Sequence, residues 1–171
     1  MIDTKILRQT VSNALLNSNA IKSFCSDNFG KDTFFVFSGL DIENAPNLYP
    51  MAGVRVPKLT YNSSETSVII LVDLQILGSE NPLKSGDVVS TDYYDAQTEE
   101  TKTIDTNTMV TYDGEDILDD LRVLVVDEVK KSTDSLCNLT LKDYQWEQDL
   151  LTTFPTYSGF LVFEFYKENL L

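Results

Sequence analysis

The sequence predicts an α+β fold: a mainly antiparallel β-sheet of four or more strands, with α-helices packed on one face and an inserted β-hairpin. Three observations predict it. The run SVIILVDLQIL, Ser67 to Leu77, sets Val68, Ile70, Val72, Leu74 and Ile76 on one side of an extended chain and Asp73 and Gln75 on the other. That is a period of two among crowded β-branched residues, the pattern of a central strand. A second run, YSGFLVFEFY from Tyr157 to Tyr166, places Leu161, Phe163 and Phe165 on one face and Glu164 on the other. Finally, Leu7, Val11, Ala14 and Leu15, and again Leu118, Leu121, Val125 and Val129, recur at helical spacing and supply the apolar stripes such a sheet needs as a cover.

Taken in order, the chain opens with an amphipathic helix from about Thr4 to Leu16, capped by Asp3. Asn17-Ser18-Asn19 interrupts it, and Ile21, Phe24 and Cys25 then suggest a short second turn of helix ended by Gly30. Phe34 to Phe37 is a short strand. Met51 to Tyr61 (MAGVRVPKLTY) is another, and Pro57, lacking a ladder donor, puts it at an edge or ends it early. Residues 61–65 (YNSSE) are turn-like and return that strand as a hairpin into Ser67 to Leu77. Gly78 to Gly86 reads as a loop.

The Thr-rich stretch from Asp87 to Tyr112 holds two runs that can pair, VVSTDYY and KTIDTNTMVTY, on either side of a bend from Ala96 to Glu100. It fits an inserted hairpin arm and a free loop equally, and long insertions of this kind carry contacts with partners. The acid-rich DGEDILDD, Asp113 to Asp120, lacks DxDxDG spacing and reads as a helix start: Asp113 caps, Glu115 and Asp116 sit at the positive end of the dipole, and Lys130 and Lys131 at the other end. Within that helix, Val123 to Val126 (VLVV) would also suit a strand, but its charged brackets favour helix. Cys137, Leu139 and Leu141 alternate into a further strand running toward Trp146, and the chain bends at 153–155 before the last strand.

Composition bounds the function. A chain of 171 residues supports one well-buried core, so a single domain is expected. With 27 acids against 13 bases and a net charge of −14, it does not offer a phosphate-binding surface. Cys25 and Cys137 have neither disulfide-framework nor zinc spacing. Neither a signal peptide nor a membrane span is recognisable, so the cytoplasm is the expected site of synthesis. The absence of histidine removes the usual general base and zinc ligand, and no glycine-rich phosphate loop is present. Paired carboxylates of glycosidase type stay open as a matter of geometry. Trp146, Tyr93 and Tyr94 are candidate interface anchors, or core residues.

The order of these elements carries a resemblance. An N-terminal amphipathic helix, an edge strand YPMAGVRV, a turn, the long strand TSVIILVDLQIL, a helix and a terminal strand SGFLVFEFYKE resemble the tail terminator (tail completion) proteins of long-tailed bacteriophages, the lambda type being closest in layout. The resemblance covers most of the chain, departs from the family mainly between Gly78 and Tyr112, and rests on order and pattern rather than an invariant motif. It implies a structural virion protein without catalytic residues, cofactor or metal. It also implies a homo-oligomeric ring, typically of six subunits, that caps the tail tube, contacts tail-tube and head-connector proteins, and lets DNA pass without binding it specifically. On this expectation the 87–112 arm makes partner contacts, with Tyr93, Tyr94, Ile104 and Met109 as the candidate residues. Rival expectations are a head-to-tail connector or neck protein, an acidic inhibitor that mimics DNA, and an enzyme with a carboxylate site.

Overall fold

The computed structural model describes residues 2–39, 48–78, 83–85, 89–95, 97–106, 109–111, 114–149 and 155–169. It is α+β, a mixed five-stranded sheet with helices packed on it. The chain separates into two compact units, one of Met1–Gly78 with Gly114–Leu171 and one of Ser79–Asp113.

In the larger unit, helix α1 (Thr4–Asn17) begins where the Asp3 carboxylate accepts the backbone N–H groups of Lys5 at 2.7 Å and Ile6 at 3.4 Å. Ser18 ends α1 and starts α2 (Asn19–Phe29), its hydroxyl accepting the Ile21 N–H. Sequence suggested only a short turn here. One capping serine suffices to redirect the chain, so α2 runs 11 residues before Gly30, at φ +67°, stops it.

The sheet contains β1 (Phe35–Ser38), β2 (Met51–Tyr61), β3 (Glu65–Leu77), β8 (Thr140–Asp149) and β9 (Thr156–Glu168), in the order β1-β2-β3-β9-β8. The predicted central strand is therefore the middle one, antiparallel to β9 along its whole length and to β2 from Thr66 to Gln75. The one departure from an antiparallel sheet is β1, which pairs parallel with β2 from Phe35–Met51 to Ser38–Val54. The connection between them is long enough for a crossover return, which a tight hairpin would forbid.

Proline 57 does not end β2. β1 covers β2 only as far as Val54, so Pro57 lies where no ladder donor is needed, inside a bulge between Arg55 and Lys58. The extra residue reverses the alternation, so that Leu59 returns to the core side opposite Val68. A second bulge, between Leu141 and Asp143, does the same in β8 and aligns Tyr144 with Phe163 and Trp146 with Leu161.

The core lies between the sheet and α1 and α3 (Gly114–Cys137). Val68, Ile70, Val72, Leu74 and Ile76 of β3 are fully buried against Leu161, Phe163 and Phe165 of β9 and Leu118, Leu121, Val125 and Val129 of α3. The VLVV run is helical. Sequence placed Lys130 and Lys131 at the end of α3 and Cys137 in the next strand. The helix instead continues to Cys137, with no basic residue in its last turn. Hydroxyls at Ser132, Thr133 and Ser135 donate to carbonyls one turn back and so satisfy themselves inside the helix. The proposed cap, Asp113, lies outside the described residues, as do Thr153 and Phe154 of the predicted bend.

In the smaller unit β5 (Val89–Asp95) pairs antiparallel with β6 (Glu100–Thr106) across a turn at 97–99, the predicted hairpin. Two departures concern its flanks. The expected loop from Gly78 to Gly86 contains β4 (Leu83–Ser85), and KTIDTNTMVTY is split, its end forming β7 (Met109–Thr111) paired with β4.

Candidate functional site

The helices cover one face of the sheet. Cross-strand register defines the other face row by row: Gly53, Asp73, Phe160 and Glu147, then Arg55, Leu71, Val162 and Gln145, then Lys58, Ile69, Glu164 and Asp143. Ile69, Leu71, Phe160 and Val162 are half-buried there and stand apart from the core cluster. Two ion pairs frame them. Arg55 Nη2 donates to Asp73 Oδ2 at 2.8 Å and Lys142 Nζ to Glu164 Oε1 at 2.8 Å. The hydrogen bond to Glu164 raises the Lys142 pKa above its ordinary value. Sequence put Asp73 on this side of β3 but facing solvent or a partner, whereas it is buried against Arg55.

The segment 79–113 leaves and rejoins the larger unit through two glycines, Gly78, read from sequence as the start of a loop, and Gly114, which sequence did not single out. A Cβ built on Gly78 would lie 3.0 Å from the Gly114 Cα and 2.7 Å from Tyr157 Cε2, and one built on Gly114 would overlap the same tyrosine ring. The two chain ends are thus adjacent, with Tyr157 of β9 packed against both. The only sequence signal was a glycine on each side of the insertion.

Of the candidate contact residues, Tyr93 and Tyr94 lie on β5, opposite Lys102 and Thr101, and Ile104 lies on β6, opposite Thr91. The backbone brings these three into one two-stranded ribbon. Met109 lies on β7, opposite Ser85, in the other ribbon. Trp146 takes its alternative role. It packs against the core, its indole lies over Gly159, and the Arg122 guanidinium sits 5.9 Å from the ring centroid. The Arg122 pKa is raised, chiefly by its hydrogen bond to Asp119.

A concavity of about 550 Å³ opens where the start of α1, the end of α3 and the ends of β2 and β9 meet, lined by Ile6, Tyr61, Leu136, Cys137 and Lys167 among others. Its acid, Asp3, accepts two backbone N–H groups as the α1 cap, and burial raises the pKa of the Cys137 thiol. Cys25 is fully buried and its thiol is pushed up to about 11 by desolvation. Among the described residues no three His, Cys, Asp or Glu side chains converge as a metal site, and no helix is long and apolar enough to cross a membrane. The described surface of the sheet carries half-buried apolar side chains bordered by paired charges. Searches of protein-family models and of curated proteins find no match to this chain.

Proposed function

We propose that this chain is a structural subunit of a bacteriophage virion, forming a ring, expected to be hexameric, that caps the tail tube and joins it to the head. The observation that carries the reading is the element order that first suggested it. The strand expected at an edge, β2, lies inside the sheet beside β1, but the long strand SVIILVDLQIL is at the centre, the terminal strand pairs with it, and the helices pack on a single face. The second face, where Ile69, Leu71, Phe160 and Val162 lie between neutralised ion pairs, suits contact with protein. The excess of acids suits an opening through which DNA slides, since a negative wall repels phosphates. The finished protein would sit in the tail or neck of the virion, after assembly in the host cytoplasm.

The test is partner choice. Purified protein mixed with the tail-tube protein of the same phage should form a complex that survives size-exclusion chromatography. A complex with portal or adaptor protein alone would instead support a connector role. Binding only to cationic host proteins, abolished by salt, would support the acidic inhibitor.

A further inference from the structure

Charge is distributed unevenly across the sheet. Residues 1–61, which build α1, α2, β1 and β2, carry six Lys or Arg against five Asp or Glu, whereas residues 114–149, which build α3 and β8, carry four against ten. Two of the five acids in the first segment, Asp41 and Glu43, lie outside the described residues. β1 and β8 are the two ends of the sheet of one unit; α3, which holds seven of the ten acids, packs on the sheet face, so the edge strands themselves set Arg55 and Lys58 of β2 against Lys142, Asp143, Glu147 and Asp149 of β8.

The basic edge has cations that form no ion pair among the described residues. Arg8 donates from Nε to the Ser38 hydroxyl at the end of β1, Lys31 sits 5.7 Å over the Phe35 ring, and Lys58 is exposed on β2 beyond the reach of β1. None of the three forms an ion pair among the described residues, although the chain has twice as many acids as bases. At the opposite edge Asp143 and Glu147 are exposed on β8, and neither forms an ion pair among the described residues. Pro57 and a bulge interrupt β2 beyond the reach of β1, and a bulge between Leu141 and Asp143 interrupts β8, which disfavours strand addition at those positions and leaves side chains to make contact there.

We propose that the occupant of each edge is a second copy of this chain: the β8 edge of one subunit, through Asp143 and Glu147, docks on the β1–β2 edge of the next, through Lys31 and Lys58. Such a contact joins two different surfaces, so it repeats head to tail and closes into a ring when the rotation permits. It also lets a protein of net charge −14 associate with itself, since the approach is steered by unlike edges. The inference rests on the ring reading above and supplies its subunit contact.

Charge reversal tests it, with oligomeric state read by native mass spectrometry and each variant's fold checked by thermal unfolding. Lys31→Glu with Lys58→Glu makes both edges acidic, and Asp143→Lys with Glu147→Lys makes both basic. Each variant alone should assemble at least about tenfold more weakly than the native protein. Mixing the two should restore rings in which the variants alternate. Native-like assembly of either variant alone, or a mixture that stays unassembled, overturns the edge contact while leaving the ring reading intact. A native protein that is monomeric at high concentration overturns both.

Discussion

Tyr157 occupies the space that side chains at positions 78 and 114 would need. Alanine in a helix is favoured over glycine by roughly 0.5–1 kcal/mol, so Gly114→Ala would stabilise α3 if nothing opposed it. We expect a net loss of about 1–3 kcal/mol in denaturant unfolding, because the added methyl displaces the Tyr157 ring, and a much smaller loss in a Tyr157→Ser background. Gly159→Ala should cost a similar amount, since the new Cβ would lie 2.7 Å from Trp146 Cζ2 and 2.9 Å from the Glu147 carbonyl oxygen. Cys25 supplies a pH dependence. Its folded pKa, about 11, lies above the ordinary 9.0, so the folded state holds the proton more tightly. The stabilisation is complete below pH 9 and is lost as pH rises toward 11, by roughly 2 kcal/mol. Urea unfolding across that range should show the slope, and Cys25→Val should remove its contribution. At this scale the caps were legible, because Asp3 and Gly30 act through their own backbone neighbours. The glycine contacts were not, because Tyr157 and Trp146 reach Gly78, Gly114 and Gly159 only once distant strands have paired.

Helix α3 shows how burial overrides local preference. Val123 to Val126 suits a strand by side-chain type, yet Val125 and Val126 turn into the core with Leu121 and Val129 while Val123 stays 47% exposed. Leu121→Ala should therefore lower stability by about 2–5 kcal/mol, whereas Val123→Ala should change it by no more than about 0.5 kcal/mol, toward greater stability. Circular dichroism melts of the two variants distinguish these outcomes. Periodicity identified β3, β9 and α3 because each has a strongly one-sided apolar pattern. It missed β4 and the separation of β7 from β6, because three-residue strands are too short for a period to show. The end of α3 is not legible either, since Lys130 and Lys131 resemble a helix terminus by charge while Ser132, Thr133 and Ser135 satisfy themselves within a helix that runs on to Cys137. The adjacency of Gly78 and Gly114 makes the segment 79–113 removable. Replacing it with a two-residue linker should leave the melting temperature within a few degrees, about 1 kcal/mol, of the native value. It should also weaken assembly if Tyr93, Tyr94 and Ile104 contact a partner. Unchanged assembly would remove the arm from the interface.

The whole molecule combines a sheet with helices on one face, a second face with half-buried apolar residues, and two edges of unlike charge. Hairpin logic accounts for β2–β3 and β8–β9, but not for the long-range β3–β9 pairing or for the parallel pairing of β1 with β2, which alternation cannot reveal. The polarity of charge was present in the sequence but had no meaning until β1 and β8 were found at opposite ends of one sheet. Nor was Arg55–Asp73 visible as a pair before β2 and β3 fixed their register. Native mass spectrometry of the purified protein at low ionic strength tests the central claim most directly. A closed ring, with six copies expected, is the predicted result, and a single monomer peak persisting at high protein concentration would contradict it.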